Sequence, residues 1–197
     1  MNNLYRSLLL LLAMVLFALA FPPLSTAAET KTPWWFEVQE ASGKNPAKAI
    51  LWYEKDFTNR LGLYALLAKE STNGYTEAYV GPKFKLSDRL TMGIGLGRET
   101  MTGLNAVRRN IYYDANWGKF SSFGTFENGG SGAWHKITAT YALNERFGTG
   151  VMHETSLGLG PRLEYNFKKE NVQLWGAVLH DKDTGRNNLV LGVNKSF

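Results

Sequence analysis

The segment LGLGPRLEYNF, residues 157–167, decides the fold class because its residues alternate between two chemical types. Successive side chains of a β-strand point to opposite faces, so this period of two predicts a strand with one apolar and one polar face. A soluble β-sandwich and a membrane β-barrel both contain such strands, and the rest of the chain must distinguish them. The predicted apolar face consists of Leu157, Leu159, Pro161, Leu163, Tyr165 and Phe167.

The first 28 residues have the pattern of a secretory signal peptide. MNNLYR carries one positive charge, residues 8–21 are apolar, and PPLSTAA supplies small residues for cleavage after Ala28 or Ala27. The apolar run is shorter than the roughly 20 residues that a membrane-spanning helix needs, and Pro22 and Pro23 end it. We predict export through the Sec pathway, cleavage of residues 1–28, and a single domain over residues 29–197.

Composition narrows the classes of partner. The formal net charge is +5, but the basic residues are spread along the chain, which argues against nucleic-acid binding. The sequence contains no cysteine, so a disulfide or a Cys-type zinc site is excluded. No segment after residue 28 has the pattern of a membrane-spanning helix, so a membrane protein built from it must be a closed β-barrel.

Twelve alternating runs separated by turn residues follow residue 28, and their connections are of two kinds. FTNRL, LSDRL, NWGKF, LNERF and FKKEN are tight, and the connections between them are generally longer and richer in glycine. This pattern predicts an all-β, up-and-down antiparallel transmembrane barrel with short periplasmic turns and longer external loops. The runs at 119–127 and around Phe147 are the least regular, so ten strands are the alternative count. A soluble sandwich is the alternative fold.

Aromatic residues end the apolar faces of the strands that run toward the tight turns. Such residues concentrate where hydrocarbon meets water, so this position predicts one interfacial girdle of a membrane barrel. The predicted girdle consists of Phe57, Phe84, Trp117, Tyr141, Tyr165, Phe167 and Phe197.

The C-terminal segment NLVLGVNKSF, residues 188–197, alternates and ends in Phe197. It resembles the terminal strand of Gram-negative outer-membrane barrel proteins, although Lys195 stands where that class usually has an aromatic or apolar residue. The resemblance implies an outer-membrane location in a Gram-negative bacterium. It also implies contact with outer-membrane lipids and lipopolysaccharide, and recognition of Phe197 by the barrel-assembly machinery.

By size, strand number and short loops, the chain is similar to the small oligosaccharide porins of the oligogalacturonate and sialic acid type. The resemblance implies a monomeric porin-like channel for small polar or charged solutes, with oligosaccharides among the candidates, and no cofactor. That family has a strongly basic lumen, whereas the inner charges predicted here are mixed.

Strand alternation predicts which charged residues line the pore. Acids concentrate on the early strands and bases on the later ones, which predicts a transverse electric field; local ion pairs in a filled interior are the alternative. Glycines on the inner face, such as Gly93, Gly95 and Gly192, predict a narrow bore unless aromatic rings fill the space. The predicted pore-lining residues are Glu37, Glu54, Asp56, Glu77, Lys83, Lys85, Glu99, Arg108, Asp114, Lys136, Arg162 and Glu164.

Two Gly-Pro pairs interrupt strand patterns, at Gly81-Pro82 and at Gly160-Pro161. Proline cannot donate a ladder hydrogen bond, so each pair predicts a β-bulge.

The histidines do not predict a catalytic or metal site. Outer-membrane lipid hydrolases typically place a serine two residues after a histidine on the lipid-facing side, and MHETS has Thr155 at that place after His153. His135 and His180 have no such partner in the sequence. We therefore predict a non-enzyme, with a lipid-modifying hydrolase and a closed structural or adhesive barrel as the alternatives.

Overall fold

The computed structural model describes residues 34–43, 45–71, 74–101 and 104–197. The predicted signal peptide lies outside these residues. One 3-10 turn, Lys168–Glu170, interrupts an otherwise all-β arrangement. The strands in chain order are β1 (Trp34–Ala41), β2 (Lys48–Asp56), β3 (Leu61–Glu70), β4 (Thr76–Ser87), β5 (Leu90–Met101), β6 (Leu104–Trp117), β7 (Phe120–Gly129), β8 (Trp134–Ala142), β9 (Phe147–Glu154), β10 (Gly158–Phe167), β11 (Val172–Asp181) and β12 (Arg186–Ser196).

The strands form one closed antiparallel barrel. Each strand pairs with its neighbours in the chain, and β1 pairs with β12 from Trp35 opposite Ser196 to Ala41 opposite Val190. The two least regular runs of the sequence are β7 and β9, and each pairs on both sides. The twelve-strand, up-and-down prediction is confirmed, and the ten-strand count and the two-sheet sandwich are ruled out.

The strand ends define two rims, which we name the turn rim and the loop rim. The turn rim carries the connections 57–60, 88–89, 118–119, 143–146 and 168–171, and the loop rim carries 42–47, 71–75, 102–103, 130–133, 155–157 and 182–185. The rims differ less in loop length than the sequence predicts, because β5 and β6 continue to Met101 and from Leu104. Because the connections at both rims are short, we look to the side chains of the strands for the groups that fill the barrel interior.

The outer wall is apolar between the rims. Leu163 is 66% exposed, Leu96 is 62% exposed and Val107 is 59% exposed. A wall of this kind is stable only when lipid or another apolar medium covers it. No helix in the described part of the chain has the length and apolar character to cross a membrane.

The aromatic residues predicted as a girdle all lie near the turn rim. Phe57 is 59% exposed, and the rings of Tyr165 and Phe167 are 4.7 Å apart. Lys195 lies on the same face, with its amine 5.3 Å from the ring centroid of Phe197. Gly118 makes the tight turn between β6 and β7 with a φ of 71°, a conformation that glycine adopts without a side-chain clash.

Two local predictions are wrong. Leu157 lies inside the barrel against Met152 and Leu179, because positive φ angles at Ser156 and Gly158 turn the chain where β10 begins. The Gly-Pro pairs do not form bulges: pairing keeps one register on both sides of each pair, and the irregularity in β4 lies between Lys85 and Ser87.

Candidate functional site

The barrel interior is crossed by contacts at several levels. The inward side chains form a buried arginine cluster near the loop rim, polar contacts that cross the interior, an aromatic layer, and ion pairs toward the turn rim. Each group comes from the alternation of its strands, because every second residue points inward.

The arginine cluster consists of Arg108, Glu77, Glu99, Glu127 and Tyr79. The Arg108 side chain is 1% exposed; its Nη1 lies 2.7 Å from Glu99, its Nη2 3.3 Å from Glu127 and its Nε 3.4 Å from Glu77. Its Nε also donates to the Tyr79 hydroxyl at 2.7 Å. One cation is thus shared by three buried carboxylates, an arrangement that holds β4, β5, β6 and β7 together.

Residues next to the loop rim cover this cluster. Tyr75 donates its hydroxyl to Glu77 at 2.6 Å, and Ser131 donates through Oγ to Glu99 at 2.8 Å. Burial raises the pKa of the Tyr75 hydroxyl, so Tyr75 remains a donor. Among the described residues, no buried side-chain nitrogen or oxygen lacks a hydrogen-bond partner.

Two pairs of side chains cross the interior from β1, and we name them the crossing pairs. Lys136 of β8 donates to Glu37 at 2.5 Å and to Gln39 at 2.7 Å, and Gln39 donates to Glu154 of β9 at 3.0 Å. Since β1 pairs only with β2 and β12, these contacts join opposite walls. They narrow the interior at this level.

The aromatic layer extends across the interior from β1, β2 and β3 to β6 and β7. Trp52 stacks on Trp35 and Tyr64 with centroid distances of 5.5 and 5.3 Å, and it meets Tyr112 and Phe123 edge-on. Contacts between β2 and β7 again span opposite walls, because the two strands do not pair.

The inner glycines make room for these rings. A Cβ at Gly93 would overlap the Tyr112 ring, one at Gly95 would overlap the Tyr64 hydroxyl, and one at Gly192 would overlap the Trp175 ring. The alternative of aromatic filling therefore describes these three glycines, and a narrow space remains elsewhere in the interior.

A cavity of about 750 Å³ remains inside the barrel. Its lining includes Glu145 and Lys168, exposed side chains of the turn rim, and extends inward to Lys48, Glu127 and Trp134. None of the described residues in the loop-rim connections lines it. The cavity therefore opens at the turn rim and extends as far as Lys48 and Trp134, the first residues of β2 and β8, next to the loop rim.

The predicted pore-lining charges lie inside the barrel or at its turn rim, mostly as local pairs. Lys83 lies 2.6 Å from Glu54 and 2.9 Å from Asp56, and Arg162 lies 2.8 Å from Glu164. Lys136 pairs with Glu37 and Arg108 with its carboxylates, as described above.

Two further residues of that set lie at the ends of β4 and β6. Lys85 pairs with Asp88 outside the cavity at 2.9 Å, and Asp114 lines the cavity. The prediction of separate acidic and basic arcs is wrong, because most of the bases have an acid partner at close range. The role of these residues in conduction stays a prediction.

Sequence reasoning missed several inward charges that the same alternation could have found. Lys48 lies 4.1 Å from the ring centroid of Trp134 and 3.9 Å from Glu70. Glu127 lies in the run that looked irregular, and Glu154 in a segment read as a loop.

With these residues included, inward carboxylates outnumber inward cations in the described strands. The carboxylates are Glu37, Glu54, Asp56, Glu70, Glu77, Glu99, Asp114, Glu127, Glu154, Glu164 and Asp181, and the cations are Lys48, Lys83, Lys85, Arg108, Lys136, Arg162 and Arg186.

A second polar group lies on the outer wall near the loop rim. The Thr155 hydroxyl is 3.1 Å from His135 Nδ1, and His135 Nε2 is 2.9 Å from His153 Nδ1. The sequence places Thr155 two residues after His153 and predicts no catalytic pair there, whereas the pairing of β8 with β9 brings Thr155 to His135. The described residues contain no group of three or more His, Cys, Asp or Glu that could hold a metal ion.

Comparisons with known proteins identify the fold. No protein-family model matches the sequence, and no curated protein matches it significantly. The structure is similar to the KdgM porin, with a TM-score of 0.54 and 16% identity over 83% of this chain and 98% of that chain. It is similar to the NanC porin, with a TM-score of 0.52 and 11% identity over 83% of this chain and 98% of that chain.

The structure is also similar to outer membrane phospholipase A from Escherichia coli. The TM-score is 0.53 and the identity 11%, over 87% of this chain and 93% of that chain. The predicted resemblance to small porins is confirmed at the level of the fold. A porin and an enzyme share this barrel, so the barrel alone does not choose between them.

Proposed function

We propose that this chain is an outer-membrane barrel that acts as a narrow channel for small polar or charged solutes. The observation that carries the proposal is a cavity of about 750 Å³ inside a closed barrel with an apolar outer wall. In this orientation the turn rim faces the periplasm and the loop rim faces outward, as in barrels with short periplasmic turns.

The inner charges favour cations over anions as permeating species. Inward carboxylates exceed inward cations, so the field inside a low-dielectric wall attracts positive charge. The KdgM porin has been studied in complex with oligogalacturonate, a polyanion. A polyanion would meet repulsion in the lumen of this chain, which makes neutral or cationic solutes the better candidates.

The crossing pairs set the width of the proposed path. A solute that enters the cavity from the turn rim meets Lys136 and Glu37 before it reaches the loop rim. Their contact reduces the cross-section of the path, so the expected unit conductance is small.

Conductance of the folded protein in a planar lipid bilayer tests the proposal, after a heat-dependent shift in gel mobility has shown that the barrel is folded. Small discrete steps with a reversal potential on the cation side in a salt gradient are expected. A folded barrel that never conducts would overturn the channel and favour the closed structural barrel.

The outer-wall group of His135, His153 and Thr155 supports a second candidate, hydrolysis of lipid esters. With its proton on Nε2, His135 can accept the Thr155 proton at Nδ1 and donate to His153, the geometry of an activated nucleophile. The acyl group would transfer to Thr155 Oγ1, the leaving alcohol would take the proton, and water would then release the fatty acid. The His135 backbone N–H also donates to this hydroxyl, at 2.9 Å.

Release of labelled fatty acid from phospholipid vesicles tests this candidate. Release by the wild type that is abolished in Thr155→Ala and His135→Ala, and kept in His180→Ala, would support it. His180 is the matched control because it bonds Asn187 and has no contact with Thr155. No release by the wild type would overturn the candidate.

A further inference from the structure

Three basic residues interrupt the apolar outer wall near the loop rim. Strand alternation points Lys69 of β3, Arg98 of β5 and Arg109 of β6 outward, on the face that carries Leu67, 45% exposed, and Leu96, 62% exposed. All three basic residues are themselves exposed. We name them the wall patch.

Strand register brings the members of the wall patch close together. Arg98 pairs with Val107 and Leu96 pairs with Arg109, so the two arginines occupy diagonal positions on adjacent strands. Lys69 pairs with Thr76 of β4, which pairs with Thr100, so Lys69 lies two strands across and two residues along from Arg98, a backbone separation of roughly 12 Å. Two guanidinium groups at this spacing repel each other unless an anion lies between them.

The wall itself does not supply that anion. Within the described residues, the outward positions of β3 to β7 contain no Asp or Glu, and no ion pair is formed by Lys69, Arg98 or Arg109. The inward carboxylates of these strands are separated from the patch by the sheet. The patch is therefore a cluster of uncompensated positive charge.

The height of the patch matches a membrane interface. Arg98 lies eight residues along β5 from Leu90 at the turn rim, which is roughly 20 Å of height at about 3.3 Å per residue and a strand tilt near 40°. An arginine that reaches toward water from there places its guanidinium near the far edge of the roughly 25 Å apolar band.

We propose that the wall patch binds a lipid headgroup that carries two phosphates, such as that of a bisphosphorylated glycolipid in the outer leaflet. Guanidinium groups bind phosphate with two parallel hydrogen bonds, so Arg98 and Arg109 share one phosphate. Lys69, whose backbone lies roughly 12 Å from that of Arg98 across β4, binds the second. The inference rests on the proposed membrane placement and not on conduction.

Lipid binding to the folded protein in detergent micelles tests the inference, with native mass spectrometry as the readout. The probe is a bisphosphorylated hexa-acyl glycolipid, and its dephosphorylated form is the matched ligand. We expect Arg98→Gln with Arg109→Gln to weaken binding of the phosphorylated lipid by about tenfold or more, because hydrogen bonds to charged groups are lost. The dephosphorylated lipid is expected to bind both proteins equally weakly.

Lys55→Gln with Arg60→Gln is the control variant, since it removes two exposed basic residues at the turn rim. Unchanged binding in the control supports a specific patch, and an equal loss in both variants would overturn it. Equal binding of the two lipids would overturn the role of phosphate. Displacement by inorganic phosphate at millimolar concentration would overturn the lipid as the source of that phosphate.

The gel-mobility shift shows whether each variant is folded. Since bilayer conductance is measured separately, a loss of lipid binding and a failure to conduct remain distinguishable.

Discussion

Arg108 illustrates how a single side chain holds the loop-rim half of this barrel together. Its guanidinium is almost fully buried and contacts Glu77, Glu99 and Glu127, which come from three different strands. Burial of four charged groups is costly, and the arrangement is stable only while the cation and its hydrogen bonds are present.

Arg108→Met should lower the free energy of unfolding by about 3–5 kcal/mol, because three buried carboxylates lose their cation. Urea unfolding in lipid vesicles, followed by tryptophan fluorescence, measures the change. Arg109→Met is the matched control, since Arg109 is exposed on the outer wall; a change within about 0.5 kcal/mol is expected there. Similar values for the two variants would contradict the structural role of Arg108.

Gly192 is a second position where packing depends on a single atom, the Cβ that glycine lacks. A Cβ at this residue would overlap the Trp175 ring. Gly192→Ala should therefore destabilise the barrel by about 1–3 kcal/mol, the usual cost of overpacking. Urea unfolding under the same conditions measures it.

The matched control is Gly176→Ala on the neighbouring strand. Its Cβ would point outward and lie 3.2 Å from a methyl group of Leu191, a flexible side chain that can move. We expect a smaller loss than in Gly192→Ala. The reverse order would mean that the ring of Trp175 does not occupy the space above Gly192.

At the scale of elements, β1 has a role beyond closing the sheet. Its outward Trp34 is 43% exposed, while Glu37 and Gln39 reach β8 and β9 across the interior. The strand therefore both seals the barrel against β12 and narrows it.

Replacing both members of one crossing pair tests this second role. Glu37→Ala with Lys136→Ala should raise the unit conductance, since it removes the contact between opposite walls without leaving either buried charge alone. Lys85→Ala with Asp88→Ala, an exposed pair at the turn rim, is the control and should leave conductance unchanged. If Glu37→Ala with Lys136→Ala conducts no better than the control variant, the crossing pair does not limit passage.

At the scale of the whole molecule, the barrel is apolar outside and charged inside, with an excess of inward carboxylates. This inversion of a soluble fold suits a protein surrounded by lipid. The excess of inward carboxylates also predicts a preference for cations over anions.

Asp114→Asn with Glu164→Gln should shift the reversal potential toward anions, because both residues line the cavity. The measurement is made at low salt, where charges are least screened. Asp88→Asn with Asp183→Asn changes two exposed carboxylates outside the cavity and should have little effect. An equal shift in both variants would assign the preference to overall charge and not to the lumen.

Much of the architecture could be predicted from the chain alone. The period of two from Leu159 to Phe167 and its repeats gave twelve strands, since alternation is a local property that lipid outside and polar groups inside impose on every strand. The turn residues between the alternating runs predicted that consecutive strands pair as hairpins. The inward or outward direction of Arg108, Lys136 and Arg162 followed from the same rule.

Contacts between opposite walls were decided by the tertiary structure alone. Glu37 and Lys136 are far apart in sequence and on strands that do not pair, so no local pattern reports their distance. The inner glycines show the same limit, because whether a missing side chain leaves space or accepts a ring depends on residues such as Trp175 from another strand.

The sequence by itself determined a closed, up-and-down barrel and the face on which most side chains lie, because both follow from alternation within each strand. The tertiary structure decided how the interior is filled, that Thr155 meets His135, and that Leu157 turns inward. The physical reason is the same in each case: alternation fixes the direction of a side chain, while its partner across the barrel depends on closure, register and backbone turns that involve the whole chain.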